Sequence, residues 1–322
     1  MNSSRLRQAD KVEITVMVDN MSDILAEDTP VAKRLRVVPP QSPLAEHGLS
    51  YLITVYAGQE KHTLLMDGGI SGTCLNHNAQ LLKSSLAVVM ATVGHSVDDV
   101  ESIVLSHGHY DHFCGLPAFL QTRSDKLPLV VHPGAFVERR RKVGPDFYVP
   151  LPTLTKAFLE QAGAVLDERA APSTLASDLI LVSGQVARKT AFETGSPGME
   201  VRRQGQWQAD PFDDDQSLAI DLKGQGLVVI GGCCHAGIVN TIEHLCETVG
   251  QKTVHAVLGG FHLSGVDPAV ISQTVEEIKR FAPSLIVPMH CTGWKAISAF
   301  AAAMPDQFIL NNAGTTYVLE GR

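Results

Sequence analysis

The chain has 322 residues, of which 44% are hydrophobic and 19% are charged, and its formal net charge is −8. This profile is typical of a soluble globular protein with a large buried core. The negative balance disfavours a nucleic-acid binder that relies on general positive charge.

Targeting and redox signals point to a cytoplasmic protein. The first ten residues lack the apolar core of a secretory signal, and no apolar run reaches the length needed to cross a bilayer, so we expect no membrane partner. The six cysteines are scattered along the chain rather than forming the dense framework of a small secreted domain. They are Cys74, Cys114, Cys233, Cys234, Cys246 and Cys291.

The first predicted elements are strands separated by a long surface segment. Val12–Asp19 alternates and is β-branched, which predicts a strand. Residues 21–48 contain four prolines and mixed charge, so we expect a surface excursion there. Leu52–Tyr56 and His62–Met66 flank a short turn and predict a hairpin that ends at Asp67-Gly68-Gly69.

The middle of the chain alternates helices and strands. Residues 76–90 have helical spacing, and Ser102–Leu105 is a predicted strand that leads directly into a cluster of histidines and an aspartate. A helix is predicted after Pro117, and Pro128–Val131 is the next predicted strand.

Residues 136–163 have the character of an insertion. It begins with the basic run Arg139-Arg140-Arg141-Lys142 and is predicted to be helical over Leu154–Ala162. We interpret the basic run as a solvated loop or helix face, with an anion-contacting rim as the alternative.

The last third repeats the strand–helix pattern. Ser217–Leu222 and Leu227–Ile230 predict a second hairpin, and Val254–Leu258, a helix over Pro268–Phe281 and Leu285–Pro288 follow. Hairpins in both halves, each followed by strand–helix units, indicate an α/β protein with two sheets between helices. Without repeats or a linker, we expect one domain over 1–322 with insertions at about 21–48 and 136–163.

Four potential metal ligands lie within six residues at the end of a buried strand: His107, His109, Asp111 and His112. In a strand-to-loop turn, His107 and His109 project together, while Asp111 and His112 can reach a second point. Mixed nitrogen and oxygen ligation of this kind suits two adjacent cations. We therefore predict all four as metal ligands.

Other histidines also follow hydrophobic strands. His235 and His290 are predicted ligands, because metal sites of this kind assemble from strand ends. His262 is assigned to the substrate pocket, or to ligation if His235 does not ligate. His132 precedes a proline and is interpreted as structural.

Two further residue types bear on the same site. Asp67 ends a strand, where its carboxylate can accept a histidine N–H and fix that histidine's orientation; an ordinary turn aspartate is the alternative. Cys233 and Cys234 could donate a thiolate, but free cysteine is also commonly a buried apolar residue.

The segment His107-Gly108-His109-Tyr110-Asp111-His112 resembles the His-x-His-x-Asp-His signature of metallo-β-lactamase-fold hydrolases. The resemblance implies an αββα sandwich with two metals at one edge of the sheets. His107 and His109 would hold one metal, and Asp111 and His112 the other, with Asp111 also in a catalytic role. Asp67-Gly68-Gly69 is similar to the superfamily's early strand-end motif.

Four further motifs are similar to the branch named for 7,8-dihydropterin-6-methyl-4-(β-D-ribofuranosyl)aminobenzene-5'-phosphate synthase. They are Glu46-His47-Gly48-Leu49-Ser50, Gly232-Cys233-Cys234-His235-Ala236-Gly237-Ile238-Val239-Asn240, Gly259-Gly260-Phe261-His262-Leu263 and His290-Cys291-Thr292-Gly293. Many superfamily members carry a metal-bridging aspartate where this chain has Cys233. His235 or Asp215 could supply the missing ligand.

The leading functional hypothesis is a hydrolase in which metal-bound hydroxide attacks an ester-type bond of a small, anionic substrate. A phosphoester or phosphoanhydride is preferred over a carboxyl ester or lactone. The cofactor would be two divalent ions, zinc by preference, with iron and manganese as alternatives. The namesake branch implies a transferase that uses a dihydropterin pyrophosphate. An iron redox centre and a non-catalytic ligand sensor are the remaining alternatives.

Overall fold

The computed structural model describes residues 6–37, 39–88 and 96–322, and gives only the backbone for 85–88. The described strands form three sheets, two large and one small. The αββα sandwich and α/β class expected from the sequence are confirmed, because the two large sheets pack face to face and helices cover their outer faces.

The first large sheet has eight strands and contains most of the first half of the chain. Both the strand and the first hairpin predicted from alternation are present in it. In spatial order the strands are Ala164–Glu168, Leu127–Val131, Val100–Val104, Glu60–Met66, Ser50–Ala57, Lys11–Val18, Thr316–Glu320 and Ala32–Lys33.

The second large sheet has seven strands and contains the second predicted hairpin. Its main order is Ser173–Leu175, Ile180–Val182, Leu218–Leu222, Gly226–Ile230, Val254–Gly260 and Leu285–Met289, and Gln8–Ala9 pairs with Leu218–Leu222.

Side chains alternate between two layers of core along each central strand. Ile53 and Val55 face the core between the two sheets, whereas Leu52 faces the core beneath the helices of the first half. This period of two is the physical basis of the strand predictions. A third core lies between the second sheet and the helices of the last third.

The helices lie outside the sheets. The predicted helix over 268–281 matches Pro268–Phe281, and the helix predicted over 76–90 begins earlier; its last two residues lie outside the described residues. The α-helices are Gly72–Val88, Tyr110–Phe113, Leu116–Leu120, Lys156–Glu160, Ile238–Val249, Pro268–Phe281 and Trp294–Ala303, and the 3-10 turns are Val97–Asp99, Pro133–Ala135 and His290–Thr292. No described helix is long and apolar enough to cross a membrane.

The third sheet corrects the interpretation of the basic run. Arg139–Lys142 is a strand between Tyr148–Pro150 and Met199–Arg203, and Met199–Arg203 pairs also with Gln206–Ala209. It is therefore not a loop or helix face, and only its second half, Arg141 and Lys142, is exposed to solvent. The helix predicted over 154–162 is shorter and spans Lys156–Glu160. The basic run pairs with residues about 60 positions away, and no local sequence pattern identifies such a pairing, so the strand was not predicted.

Parallel pairing brings several strand ends to one edge of the sandwich. Glu60–Met66 is parallel to Val100–Val104, and Gly226–Ile230, Val254–Gly260 and Leu285–Met289 are mutually parallel neighbours. The predicted site residues follow these strands directly, which places them together.

Candidate metal centre

The loop after Val100–Val104 carries four of the predicted ligands. His107 and His109 lie on the loop itself, and Asp111 and His112 lie in the short helix Tyr110–Phe113 that follows it. Asp214 fixes the loop, because its Oδ2 accepts the Gly108 N–H at 2.8 Å.

Three histidine nitrogens converge at a first point. His235 Nε2 lies 3.2 Å from His107 Nε2 and 3.1 Å from His109 Nδ1. All three side chains are buried, and their facing nitrogens lie close enough to hold one ion. The sequence predicted His235 as a ligand without assigning it to either cation, and the structure places it beside His107 and His109.

A second group forms around Asp111. Its Oδ2 lies 3.4 Å from His290 Nε2, 3.4 Å from His47 Nε2 and 3.9 Å from His112 Nε2. Asp111, His290 and His47 satisfy the distances expected of a metal-binding group. Asp111 and His112, the ligands expected at the second cation, thus lie beside His290, which was predicted as a ligand of unassigned position.

Cys233 lies between the two groups. Its Sγ is 3.1 Å from His112 Nε2, and the ligand atoms of Cys233, His112 and His107 lie within 4.8 Å of one another. Cys234 does not take this place, because its Sγ faces Ser217 Oγ at 3.9 Å inside the core of the second sheet.

Hydrogen bonds orient His107 and His112 so that their Nε2 atoms face the centre. His112 Nδ1 donates to Asp67 Oδ2 at 2.7 Å. Ser106 Oγ donates to the same carboxylate oxygen at 2.7 Å and accepts from His107 Nδ1 at 2.9 Å. With Nδ1 protonated, the Nε2 lone pair is left free to bind a metal.

Burial and neighbouring charge set the protonation of these groups. Burial lowers the pKa of His107, His109 and His235 well below its ordinary value, which favours the neutral imidazole that metals bind. Burial also opposes charge on His112, but Asp67 and Asp111 raise the pKa of His112 to about 9.

Buried polar atoms without a hydrogen-bond partner indicate whether the centre fits a cation. His290 Nε2 is buried, lies 3.4 Å from Asp111 Oδ2 and makes no hydrogen bond. Such buried polar atoms cost free energy unless something binds them. His107 Nδ1 donates to Ser106 Oγ, and His235 Nδ1 lies 3.2 Å from Ser196 Oγ, so the two Nε2 lone pairs face each other at 3.2 Å. A shared cation resolves this contact. The donor set therefore fits divalent metal ions.

His262 lies at the border of the centre. Its ring centroid is 4.2 Å from that of His235, and it forms a third group with Cys233 and Cys291. Its buried Nδ1 has no hydrogen-bond partner. Its assignment to the substrate pocket stays a prediction that this position supports.

Two other candidates have structural contacts. His132 Nδ1 accepts the Gly134 N–H at 3.0 Å at the start of a 3-10 turn, in keeping with its structural interpretation. Asp215 Oδ2 accepts the Ala236 N–H at 3.0 Å and so supports the turn that carries His235. Burial raises the pKa of Asp215 to about 7.

The sequence reasoning missed three contributors to the centre. His47, whose side chain is 57% exposed, reaches Asp111 from the surface excursion. Phe212 stacks on His235 with ring centroids 4.2 Å apart and an interplanar angle of 4°. Arg188 is exposed, and its Nη2 donates to the His235 carbonyl at 3.2 Å. His47 lies in a motif quoted above, but Phe212 and Arg188 have no sequence signal.

Two arginines of the basic run, Arg139 and Arg140, are not available for an anion-contacting rim, whereas Arg141 and Lys142 are exposed. Arg139 is buried between Asp210 Oδ2 at 2.7 Å and Asp214 Oδ1 at 2.6 Å, so its charge is already neutralised. Arg140 pairs with Glu200 and lies over an aromatic ring of the third sheet. Arg139 instead supports the loop of His107 and His109 through Asp214.

Comparison with known proteins supports the same fold. Residues 45–249 match the family model described as the metallo-beta-lactamase superfamily. An uncharacterized protein of Methanocaldococcus jannaschii is 30% identical over 275 residues, which cover 84% of this chain and 92% of the relative. The 7,8-dihydropterin-6-methyl-4-(beta-D-ribofuranosyl)-aminobenzene-5'-phosphate synthase of that organism is 28% identical over 275 residues, 84% of this chain and 89% of the synthase.

A solved structure is similar over nearly the whole chain. It is described as a metal-dependent hydrolase of the beta-lactamase superfamily, is 21% identical, and has a TM-score of 0.67 over 96% of this chain and 98% of the other. At this identity the similarity shows the shared fold.

Proposed function

The chain belongs to the metallo-β-lactamase superfamily, and from that membership we propose that it is a metal-dependent hydrolase of an ester-type bond. The preferred substrate is a phosphoester or phosphoanhydride, ahead of a carboxyl ester or lactone. The observation that carries the proposal is the convergence of two ligand groups, His107–His109–His235 and the group around Asp111, on one sheet edge.

Each group would hold one divalent cation, zinc by preference, with iron and manganese as alternatives. His107, His109 and His235 would bind the first, and Asp111, His112 and His290 the second. Two such cations supply a nucleophilic hydroxide near neutral pH and stabilise the negative charge that develops on the substrate.

The protein's own side chains would position these ligands and the substrate. Asp67 and Ser106 hold His112 and His107 with their Nε2 atoms toward the centre. Arg188, an exposed cation beside His235, would contact an anionic group of the substrate, a role that suits a planar guanidinium. His262 would line the same pocket, where its unpartnered Nδ1 can hydrogen-bond a substrate oxygen.

Hydrolysis can be tested with chromogenic substrates. Zinc- or manganese-loaded protein should release nitrophenol from bis(p-nitrophenyl) phosphate or a phosphate monoester faster than from a carboxyl ester. Chelator should abolish turnover, and reloading should restore it. His109→Ala should lose turnover while remaining folded, and His255→Ala, at the far end of the strand Val254–Gly260, is the matched control. Metal-loaded protein that cleaves none of these bonds would contradict the proposal.

A transferase is the second candidate. It is favoured by the relative named as a synthase, because the similarity to this chain covers 89% of that synthase. In a reaction of that kind the same cations would stabilise a departing pyrophosphate while the amino nitrogen of an aminobenzene forms a bond to the pterin methylene carbon and loses a proton. Release of pyrophosphate from a dihydropterin pyrophosphate only when an aminobenzene acceptor is present, with no ester hydrolysis, would favour this candidate.

A further inference from the structure

A thiol stands at the point where the two ligand groups meet. Cys233 follows the strand Gly226–Ile230, and its side chain is buried. Its Sγ is 3.1 Å from His112 Nε2, which belongs to the second group, and it forms a metal-sized cluster with His107 of the first group. A ligand in this place can reach both cation positions.

The position of the thiol is fixed by close packing. A Cβ on the preceding residue, Gly232, would overlap Ser106 Oγ, so the turn lies directly against the loop of His107. The carbonyl of Cys233 accepts a weak hydrogen bond from Cys291 Sγ at 3.7 Å. These contacts direct the Cys233 side chain toward the histidines rather than into the core that holds Cys234.

We propose that Cys233 is a metal ligand shared by the two cation positions, so that the centre is bridged by sulfur. This inference rests on the proposed metal-dependent function. On binding, the S–H bond breaks, sulfur–metal bonds form and the proton leaves to solvent; nothing is oxidised or reduced. A thiolate is a ligand that zinc and other borderline or soft ions accept, whereas manganese and magnesium prefer oxygen.

Two alternative interpretations, an apolar core role for Cys233 and Asp215 as the shared ligand, are less consistent with the contacts. A buried cysteine acting only as a small apolar residue would lie in the core away from the ligand groups, as Cys234 does beside Ser217. Cys233 instead faces a histidine nitrogen. Asp215 is engaged by the Ala236 N–H and belongs to no metal-sized group of the described residues.

Cobalt(II) substitution tests the inference without reference to catalysis, because a thiolate bound to cobalt gives an intense near-ultraviolet charge-transfer band that nitrogen and oxygen ligands do not. The wild type loaded with cobalt should show the band. Cys233→Ser should lose it and bind cobalt about tenfold or more weaker, since even residues that only orient ligands change metal affinity by about 10–100-fold. Cys233→Asp should bind cobalt as fully as the wild type but without the band, because a carboxylate can replace the thiolate.

Cys234→Ser is the matched control, a neighbouring buried cysteine that should keep the band. A wild type that binds cobalt without the band, or a band that persists in Cys233→Ser, would overturn the inference. If the inference is overturned in this way but the protein still hydrolyses esters with zinc, the proposed function remains supported. A wild type that shows the band but hydrolyses no ester would contradict the proposed hydrolase alone. A wild type that binds no cobalt overturns both.

Discussion

Replacing Asp67 with asparagine tests whether hydrogen bonding behind the ligands sets metal affinity. Asp67 adopts φ = 62°, a conformation that asparagine tolerates well, so the backbone should be unaffected. Its carboxylate accepts the Ser106 N–H, the Ser106 hydroxyl and His112 Nδ1, each at 2.7 Å. In Asp67→Asn, the negative charge is lost, and in either orientation the amide NH2 faces at least one of these three donors.

The size of the effect follows from the loss of the charged acceptor of the His112 hydrogen bond. A hydrogen bond to a charged group contributes about 1.5–3 kcal/mol, which corresponds to roughly 10–150-fold in an equilibrium constant. Because His112 belongs to the group around Asp111, the second cation should be weakened by about this factor. The first cation, held by His107, His109 and His235, should change much less.

Zinc titration against a chromophoric chelator measures both affinities. Asp221→Asn is the control, since Asp221 is also a buried carboxyl but bonds to Gln8 toward the other end of its strand. Asp67→Asn with both zinc affinities equal to those of Asp221→Asn would refute the reasoning.

Two further predictions concern buried charge. Arg139→Met leaves Asp210 and Asp214 without their partner, so the free energy of unfolding should fall by about 3–5 kcal/mol in urea denaturation; a fall below about 1 kcal/mol would show that the ion pairs are unimportant. The pKa of His112 in chelator-treated protein is raised to about 9, so its stabilisation is fully present below about pH 6.5 and is lost as the pH rises through 9. Zinc competes with that proton, so zinc affinity should increase over the same range, and a flat profile would contradict the assignment.

The sequence predicted the parts of the fold that depend on local pattern. Alternation identified the hairpin of Ser50–Ala57 and Glu60–Met66, and amphipathic spacing identified Pro268–Phe281. The placement of His235 and His290 beside the central cluster also followed from sequence, because residues after parallel strands meet at one sheet edge.

Other features depend on contacts between distant residues and left no local signal. A basic run ordinarily indicates solvent, yet Arg139 is buried because two aspartates more than 70 positions away neutralise it. His47 reaches Asp111 from a surface segment whose path is not fixed by periodicity. The sequence could not show whether Cys233 faces the histidines or the core, because the direction of its side chain depends on one turn. In the structure, Cys233 Sγ lies 3.1 Å from His112 Nε2.

Metal content per chain tests the central claim most directly. Elemental analysis should be made on protein purified without chelator, for the wild type, His235→Ala and His290→Ala. Since each histidine belongs to a different ligand group, we predict about two equivalents in the wild type and about one in each variant. A wild type with one equivalent or none, unchanged in both variants, would contradict a two-cation centre built from these residues.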